Sequence, residues 1–343
     1  MTFLKRSSDY KPGLFWFSVF AMLWATLLLY AGAYTTSIQA GMAFLDWPLS
    51  NSSINPDGWL QDEDMRAEHS HRLLGMKLGL LAIALVMWTQ LREARKGVRS
   101  LALLLLGMII FQGVLGGMRV LFDQLNTGAN HNLVAQTFAV LHAMGAQVTV
   151  CLLASLAVVT SRFWITSSTA NYTQLNRWGL AAVAVLFVQI LLGAVMRHAG
   201  AGLAIQTFPL TETGGLLPRG WEFPIAVHWL HRLGALIATF ALLGFCTGVL
   251  RHCGWRSLTG VWASIVLALL AIQIYLGAAT IWTYKNPVMA SNHMVVGAFL
   301  LASTWTLMML VRRAVSHRAT EPVHDAVPTT SHHESLTQPT LKS

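Results

Sequence analysis

Eight apolar stretches, near residues 14–34, 67–90, 99–119, 133–160, 177–197, 223–250, 257–281 and 290–313, occupy most of this chain of 343 residues. Each meets the length of about 20 residues that carries a helix across a bilayer. Lipid offers no hydrogen bonds, so every backbone N–H and C=O in a span must be satisfied internally, and runs of this length do so as helices. With 55% hydrophobic and 11% charged residues, the chain reads as an all-α polytopic membrane protein. Its net charge of +9 could suit nucleic acid. The basic residues flank the spans instead, which membrane topology explains, so no nucleic-acid partner is expected.

Eight spans put both termini on one side. Lys5, Arg6, Lys11, Arg92, Arg95, Lys96, Arg99, Arg162, Arg177, Arg251, Arg256, Arg312, Arg313, Arg318 and Lys342 then share it, 15 of the 23 basic residues. That side is expected to be cytoplasmic by the positive-inside rule. The long loops near 35–66 and 198–222 face outward, and the first is acidic, with Asp46, Asp57, Asp62, Glu63 and Asp64. The first apolar run is too long for a cleaved signal core and is read as a retained helix. Without an Arg- and Ser-rich leader, a bacterial inner membrane is the expected location. Cys151, Cys246 and Cys253 lie in or beside apolar segments and form no readable disulfide or metal framework.

The chain also repeats itself. AGMAFLDWPL at 40–49 matches AGLAIQTFPL at 201–210, and EHSHRLLG at 68–75 matches HWLHRLGA at 228–235. FQGVLGG at 111–117 matches IQIYLGA at 272–278, and HAMGAQ at 142–147 matches HMVVGA at 293–298. Four spans separate the copies, so the repeats share one orientation. The expected fold is two tandem four-helix bundles related by a pseudo-two-fold axis along the membrane normal. The expected organisation is a cytoplasmic N-terminus at 1–13, an N-terminal half at 14–160, a cytoplasmic linker at 161–176, a C-terminal half at 177–313 and a disordered cytoplasmic tail at 314–343. Gly113, Gly116, Gly117, Gly193 and Gly277 are placed for close helix packing. Gln112, Gln189 and Gln273 recur beside them, as interhelical hydrogen bonds or as contacts to a cofactor.

Each copy carries two intramembrane histidines: His71 and His142 on the second and fourth spans, His231 and His293 on the sixth and eighth. Ionisable groups are costly in a span and mark functional positions. A single such histidine is often only a hydrogen-bonded structural residue. Four in repeated register point to two axial ligand pairs, one haem in each half, with imidazoles facing each other from separate helices. Small residues stand four positions on, at Gly75, Ala146, Ala235 and Gly297, on the same helix face, where a porphyrin could lie flat. Arg72 and Arg232 follow a histidine directly and either pair with haem propionates or snorkel to the interface. Zinc is the metal alternative, but neither half shows its tight Cys/His spacing. His69, His131, His198 and His228 are secondary candidates. His252 is placed in a cytoplasmic loop, and His317, His324, His332 and His333 in the tail are discounted.

The copies differ where Glu68 aligns with His228. Glu68 stands three residues before His71, on the same face. It can serve as base, nucleophile or electrostatic stabiliser of a cation, or simply favour a helix N-terminus. The difference suggests chemistry in the first half and electron transfer in the second.

EHSHR at 68–72, AGMAFLDWP at 40–48, HAMGAQ at 142–147, HWLHRLGA at 228–235 and SNHMVVGA at 291–298 resemble the haem A synthase family across about residues 14–313. The resemblance implies eight transmembrane helices in two halves and oxidation of the C8 methyl of haem O to a formyl group. It implies that Glu68 is the essential acid, that His71 and His142 flank the substrate haem, and that His231 and His293 ligate haem b. No cysteine lies in the outer loops, so the chain resembles the cysteine-free branch, and electron entry through thiols is not expected. Haem O, membrane lipid and an unknown redox partner are implied, with the haem O synthase (a farnesyltransferase) and terminal oxidase assembly factors as candidates. A b-type cytochrome electron carrier needs the four histidines but not Glu68. A haem transporter would bind haem without altering it.

Overall fold

The computed structural model describes residues 6–124, 132–169 and 172–313. His131 and the 314–343 tail, with its histidines and expected disorder, lie outside the described residues. Eight helices among them are long and apolar enough to cross a membrane. They are α1 (Pro12–Ser37), α2 (Glu63–Arg92), α3 (Lys96–Gln124), α4 (Leu133–Thr160), α6 (Thr173–His198), α7 (Phe223–Cys253), α8 (Leu258–Trp282) and α9 (Pro287–Val311), with the short α5 (Arg162–Thr166) between α4 and α6.

Local chemistry fixes the helix ends. Pro12 and Pro287 open α1 and α9, where a missing N–H costs nothing. Asp62 caps α2 by accepting from Met65 N at 2.8 Å, and Glu63 and Asp64 add negative charge to its first turn. Asn132, Ser257 and Asn286 cap α4, α8 and α9 in the same way. Ser161 ends α4 and caps α5, a one-turn helix inside the stretch expected as a plain linker. His252, expected in a loop, sits in the last turn of α7, with Nδ1 2.8 Å from Gly248 O.

In the first half α1 packs on α2, α2 on α3, α3 on α4 and α4 back on α1; α6, α7, α8 and α9 close a second ring in the same order. Each ring has its own apolar core. Leu14, Leu85, Leu105, Leu153 and Leu156 mark the first, and Leu186, Leu242, Phe245, Leu301 and Leu307 the second. The rings meet where α4 and α1 touch α9 and α4 touches α6. Accordingly α4 and α9 are the most enclosed spans, with 67% and 72% of their apolar windows buried against 22–33% for the others. Trp305 Nε1 donates to Ser155 Oγ at 2.7 Å across this junction.

On the side of the termini, Glu93 joins three segments. Its carboxylate accepts from Arg95 N and Nη2 at 3.0 Å and Arg95 Nε at 2.9 Å, and pairs with Lys11 Nζ at 3.5 Å. Burial alone would raise its pKa, but the Arg95 hydrogen bonds and the Arg95 and Lys11 charges outweigh burial and hold it below the ordinary 4.5.

Candidate haem sites

In each ring the paired histidines stand on helices that face each other across the interior, α2 and α4 in the first, α7 and α9 in the second. The His71 and His142 ring centroids are 6.5 Å apart with planes at 86°. His231 and His293 repeat this at 6.5 Å and 79°. Two metal–imidazole bonds of about 2.0–2.1 Å, plus a little over 1 Å from each nitrogen to its ring centre, add up to roughly 6.4 Å. The spacing therefore suits one metal ion between each pair.

A glycine from the preceding span lies under every ring. A Cβ built on Gly32 would stand 2.7 Å from His71 Cε1, on Gly116 3.3 Å from His142 Cε1, on Gly193 2.9 Å from His231 Cε1, and on Gly277 3.0 Å from His293 Cε1. The missing side chain brings the imidazole onto the helix backbone. There His71 Nδ1 donates to Leu28 O at 3.3 Å, four residues before Gly32. Gln112, Gln189 and Gln273 stand in the same relation to the other three glycines. Gln189 Nε2 donates to His231 O at 2.9 Å and lies 3.1 Å from His231 Nδ1. Gln273 Nε2 is 3.5 Å from His293 Nε2. The Gln112 amide is buried without a partner against Gly145.

Two expectations about small residues need correction. Gly113 meets nothing within 4 Å, so it is not a packing contact. Gly297 is met by Gln273 Nε2 at 3.0 Å, so a neighbouring side chain occupies the space beside it, whereas Gly75 meets only Leu28 Cδ1 at 3.8 Å and stays partly exposed. The supporting glycines are Gly32, Gly116, Gly193 and Gly277, and Gly32 had not been singled out. The available signal was the four-residue step from Gln112, Gln189 and Gln273 to a glycine, which Leu28 and Gly32 continue without the glutamine.

Each site is closed by the long loop that precedes its first histidine helix, through matching contacts. Phe44 N donates to Glu68 Oε2 at 3.1 Å, and Ile205 N donates to His228 Nδ1 at 3.3 Å. Arg72 donates to Phe44 O at 3.3 Å and Asp46 O at 2.7 Å; Arg232 donates to Ile205 O at 3.1 Å and Thr207 O at 2.6 Å. Arg72 lies 5.5 Å from the Phe44 ring centre and Arg232 5.7 Å from that of Phe208. Asp46 ties its loop by accepting from Asn51 N at 2.8 Å and Ser52 N at 2.7 Å. Those bonds outweigh desolvation and lower its pKa.

The arginines then diverge. Arg72 Nη2 makes a short ion pair with Glu68 Oε1, one turn away. This i,i+4 pair was legible as a spacing but was not anticipated. Among the described residues Arg232 has no such carboxylate, and its Nε and Nη1 are buried without a partner. Unsatisfied buried donors are rare, and these suit an anion such as a porphyrin propionate. His69 serves the loop: Nδ1 is 3.0 Å from Ser50 Oγ and the ring packs edge-on to Trp59 at 4.8 Å. No group of three or more His, Cys, Asp or Glu that could hold a metal ion occurs among the described residues, so paired imidazoles are the ligand set on offer.

Fold and site together define a polytopic all-α membrane protein whose two helical rings each hold a facing imidazole pair at a spacing that suits one metal ion. The chain belongs to the family of cytochrome oxidase assembly proteins, whose model matches residues 63–305. It is similar to heme A synthases from Symbiobacterium thermophilum (30% identical, covering 78% of this chain and 82% of that protein), Erythrobacter litoralis (31%, 69% and 70%) and Halalkalibacterium halodurans (26%, 87% and 96%).

Proposed function

We propose that the chain is a haem A synthase of the cysteine-free branch, an oxidoreductase that converts the C8 methyl of haem O to a formyl group by successive hydroxylations. His71 and His142 hold the substrate haem O, and His231 and His293 hold haem b. The observation that carries the reading is the departure between otherwise matching sites: a buried Glu68–Arg72 pair stands where the second site has His228 and a free-donor Arg232. The names of the similar proteins support the same reading.

Haem b, which His231 and His293 would hold, would supply one-electron transfer. Each hydroxylation takes two electrons and two protons from the substrate carbon and its water, and the water oxygen becomes the hydroxyl. A second round gives a geminal diol, which loses water to the aldehyde. Positive charge develops on the methyl carbon as electrons leave. Glu68, its carboxylate fixed by Phe44 N and Arg72, stabilises that charge with little reorganisation. Electrons pass to a one-electron acceptor outside the chain. Arg232 binds porphyrin carboxylate, while Arg72 orients Glu68 and contributes its charge to the substrate's carboxylates. The two rings are functional halves, 14–160 and 177–313, about a pseudo-two-fold axis, in a bacterial inner membrane with termini in the cytoplasm. Haem O arrives from a farnesyltransferase, and the product serves terminal oxidase assembly.

Glu68→Gln tests the assignment, because it keeps the size and an acceptor for Phe44 N but removes the charge. In membranes of a haem O–producing host, the variant should bind haem at wild-type level and form less than about one-hundredth of the haem A, the scale of losing one preorganised electrostatic group. Unchanged haem A formation contradicts the role. Haem b alone with host haem O untouched in the wild type favours the electron carrier or transporter.

A further inference from the structure

Arg197 lies in the last turn of α6, at the junction between the rings. Its Nη2 donates to Ala33 O and to Ser37 Oγ on α1, both at 2.8 Å. Ser37 Oγ is in turn 3.0 Å from Ser291 Oγ on α9, which is fully buried. Ala33 adjoins Gly32, the support under His71, and Ser291 stands two residues before His293. One guanidinium of the second ring thus touches α1 beside the glycine that supports His71 of the first and, through a serine pair, reaches the helix that carries His293 of the second. No carboxylate of the described residues forms an ion pair with it. A second cation, Arg119 on α3, lies within electrostatic reach of Arg197, His71 and His142.

A cation in a membrane-spanning bundle needs a reason. Coulomb energy between unit charges scales inversely with distance and dielectric and is largest in such an interior. Reduction adds negative charge to a haem, so a fixed cation favours the reduced form and raises the potential. We propose that Arg197, tethered through Ser37 and Ser291, is a positioning residue shared by the two haem sites, holding a positive charge between them that raises both reduction potentials and favours electron passage between the rings. This rests on the two-site reading above.

The test is optical redox titration of the purified, haem-loaded protein with haem O added, comparing wild type, Arg197→Lys, Arg197→Gln and Ser37→Ala. Arg197→Gln should lower the midpoint potentials of both haems, Arg197→Lys should restore them, and Ser37→Ala, which keeps the charge but loosens it, should shift both by less. Potentials unchanged in Arg197→Gln with both haems bound overturn the proposal. If Arg197→Gln does not accumulate, Ser37→Ala decides: a fall in both potentials supports the proposal and wild-type values overturn it. A wild type that binds no haem between His231 and His293 instead overturns the two-site reading, a different result from haem bound at unshifted potential.

Discussion

Glycine sets how close each imidazole comes to the neighbouring helix, and this can be tested one atom at a time. Gly193→Ala would put a methyl 2.9 Å from His231 Cε1, an overlap costing about 1–3 kcal/mol and weakening haem binding there by roughly five- to 150-fold. Gly107→Ala on α3 meets nothing within 4 Å and should leave haem content unchanged; haem titration of both variants by difference spectroscopy checks this. The histidines were legible in the sequence because a desolvated imidazole in a span is costly and so stands out. Gly116, Gly193 and Gly277 were legible as close-packing positions but not as supports under an imidazole, because the partner ring lies on another helix and only tertiary packing pairs Gly193 with His231 or Gly32 with His71. Glu68 was legible from its mismatch with His228. Its fixation by Arg72 and Phe44 N was not, since it depends on how the outer loop folds back over α2.

Elements are held at their ends by polar chemistry and along their length by apolar contact. At the α2–α3 turn, Glu93 binds Arg95 and Lys11, and Glu93→Gln should lower the thermal denaturation midpoint in detergent at neutral pH, a loss of about 1–3 kcal/mol from weakening charged hydrogen bonds to a buried group. The pKa of Glu93 is depressed in the folded state. Its contribution is therefore complete above the ordinary carboxylate value and disappears as pH falls through the lower folded value. Wild type and variant should accordingly converge in acid; a difference that persists below that range argues against the ion pair as the cause. All eight spans were legible from apolar run length, and their ends moved by only a few residues. The larger extensions have local causes: Asp62 and its acidic first turn start α2 at Glu63. The turn of α5 escaped notice because one Ser161 cap on a polar linker leaves no periodic signal.

At the scale of the molecule, two helical rings share a junction at α4 and α9, and matching loop contacts place one imidazole pair in each. The internal repeat made both rings legible as four-span units. It could not show that α4 and α9 form the centre, because α9 has almost no apolar periodicity and that of α4 is no stronger than that of the more exposed α7. The proposed orientation rests on the basic flanks: a single cysteine introduced at Ser52 or Thr213, in a variant lacking Cys151, Cys246 and Cys253, should react with an impermeant thiol reagent in intact cells, whereas one at Ser7 should react only after lysis. The reverse pattern would invert the topology. The central claim, that the rings hold different haems for different tasks, is tested most directly by reversed-phase separation and mass analysis of haems extracted from purified wild type, His71→Ala/His142→Ala and His231→Ala/His293→Ala, each expressed in a haem O–producing host. The account predicts haem b with haem O, its hydroxylated form and haem A in the wild type, loss of the haem O–derived species alone in the first variant, and loss of haem b in the second. Loss of the same haem from both variants, at equal protein level, would contradict it.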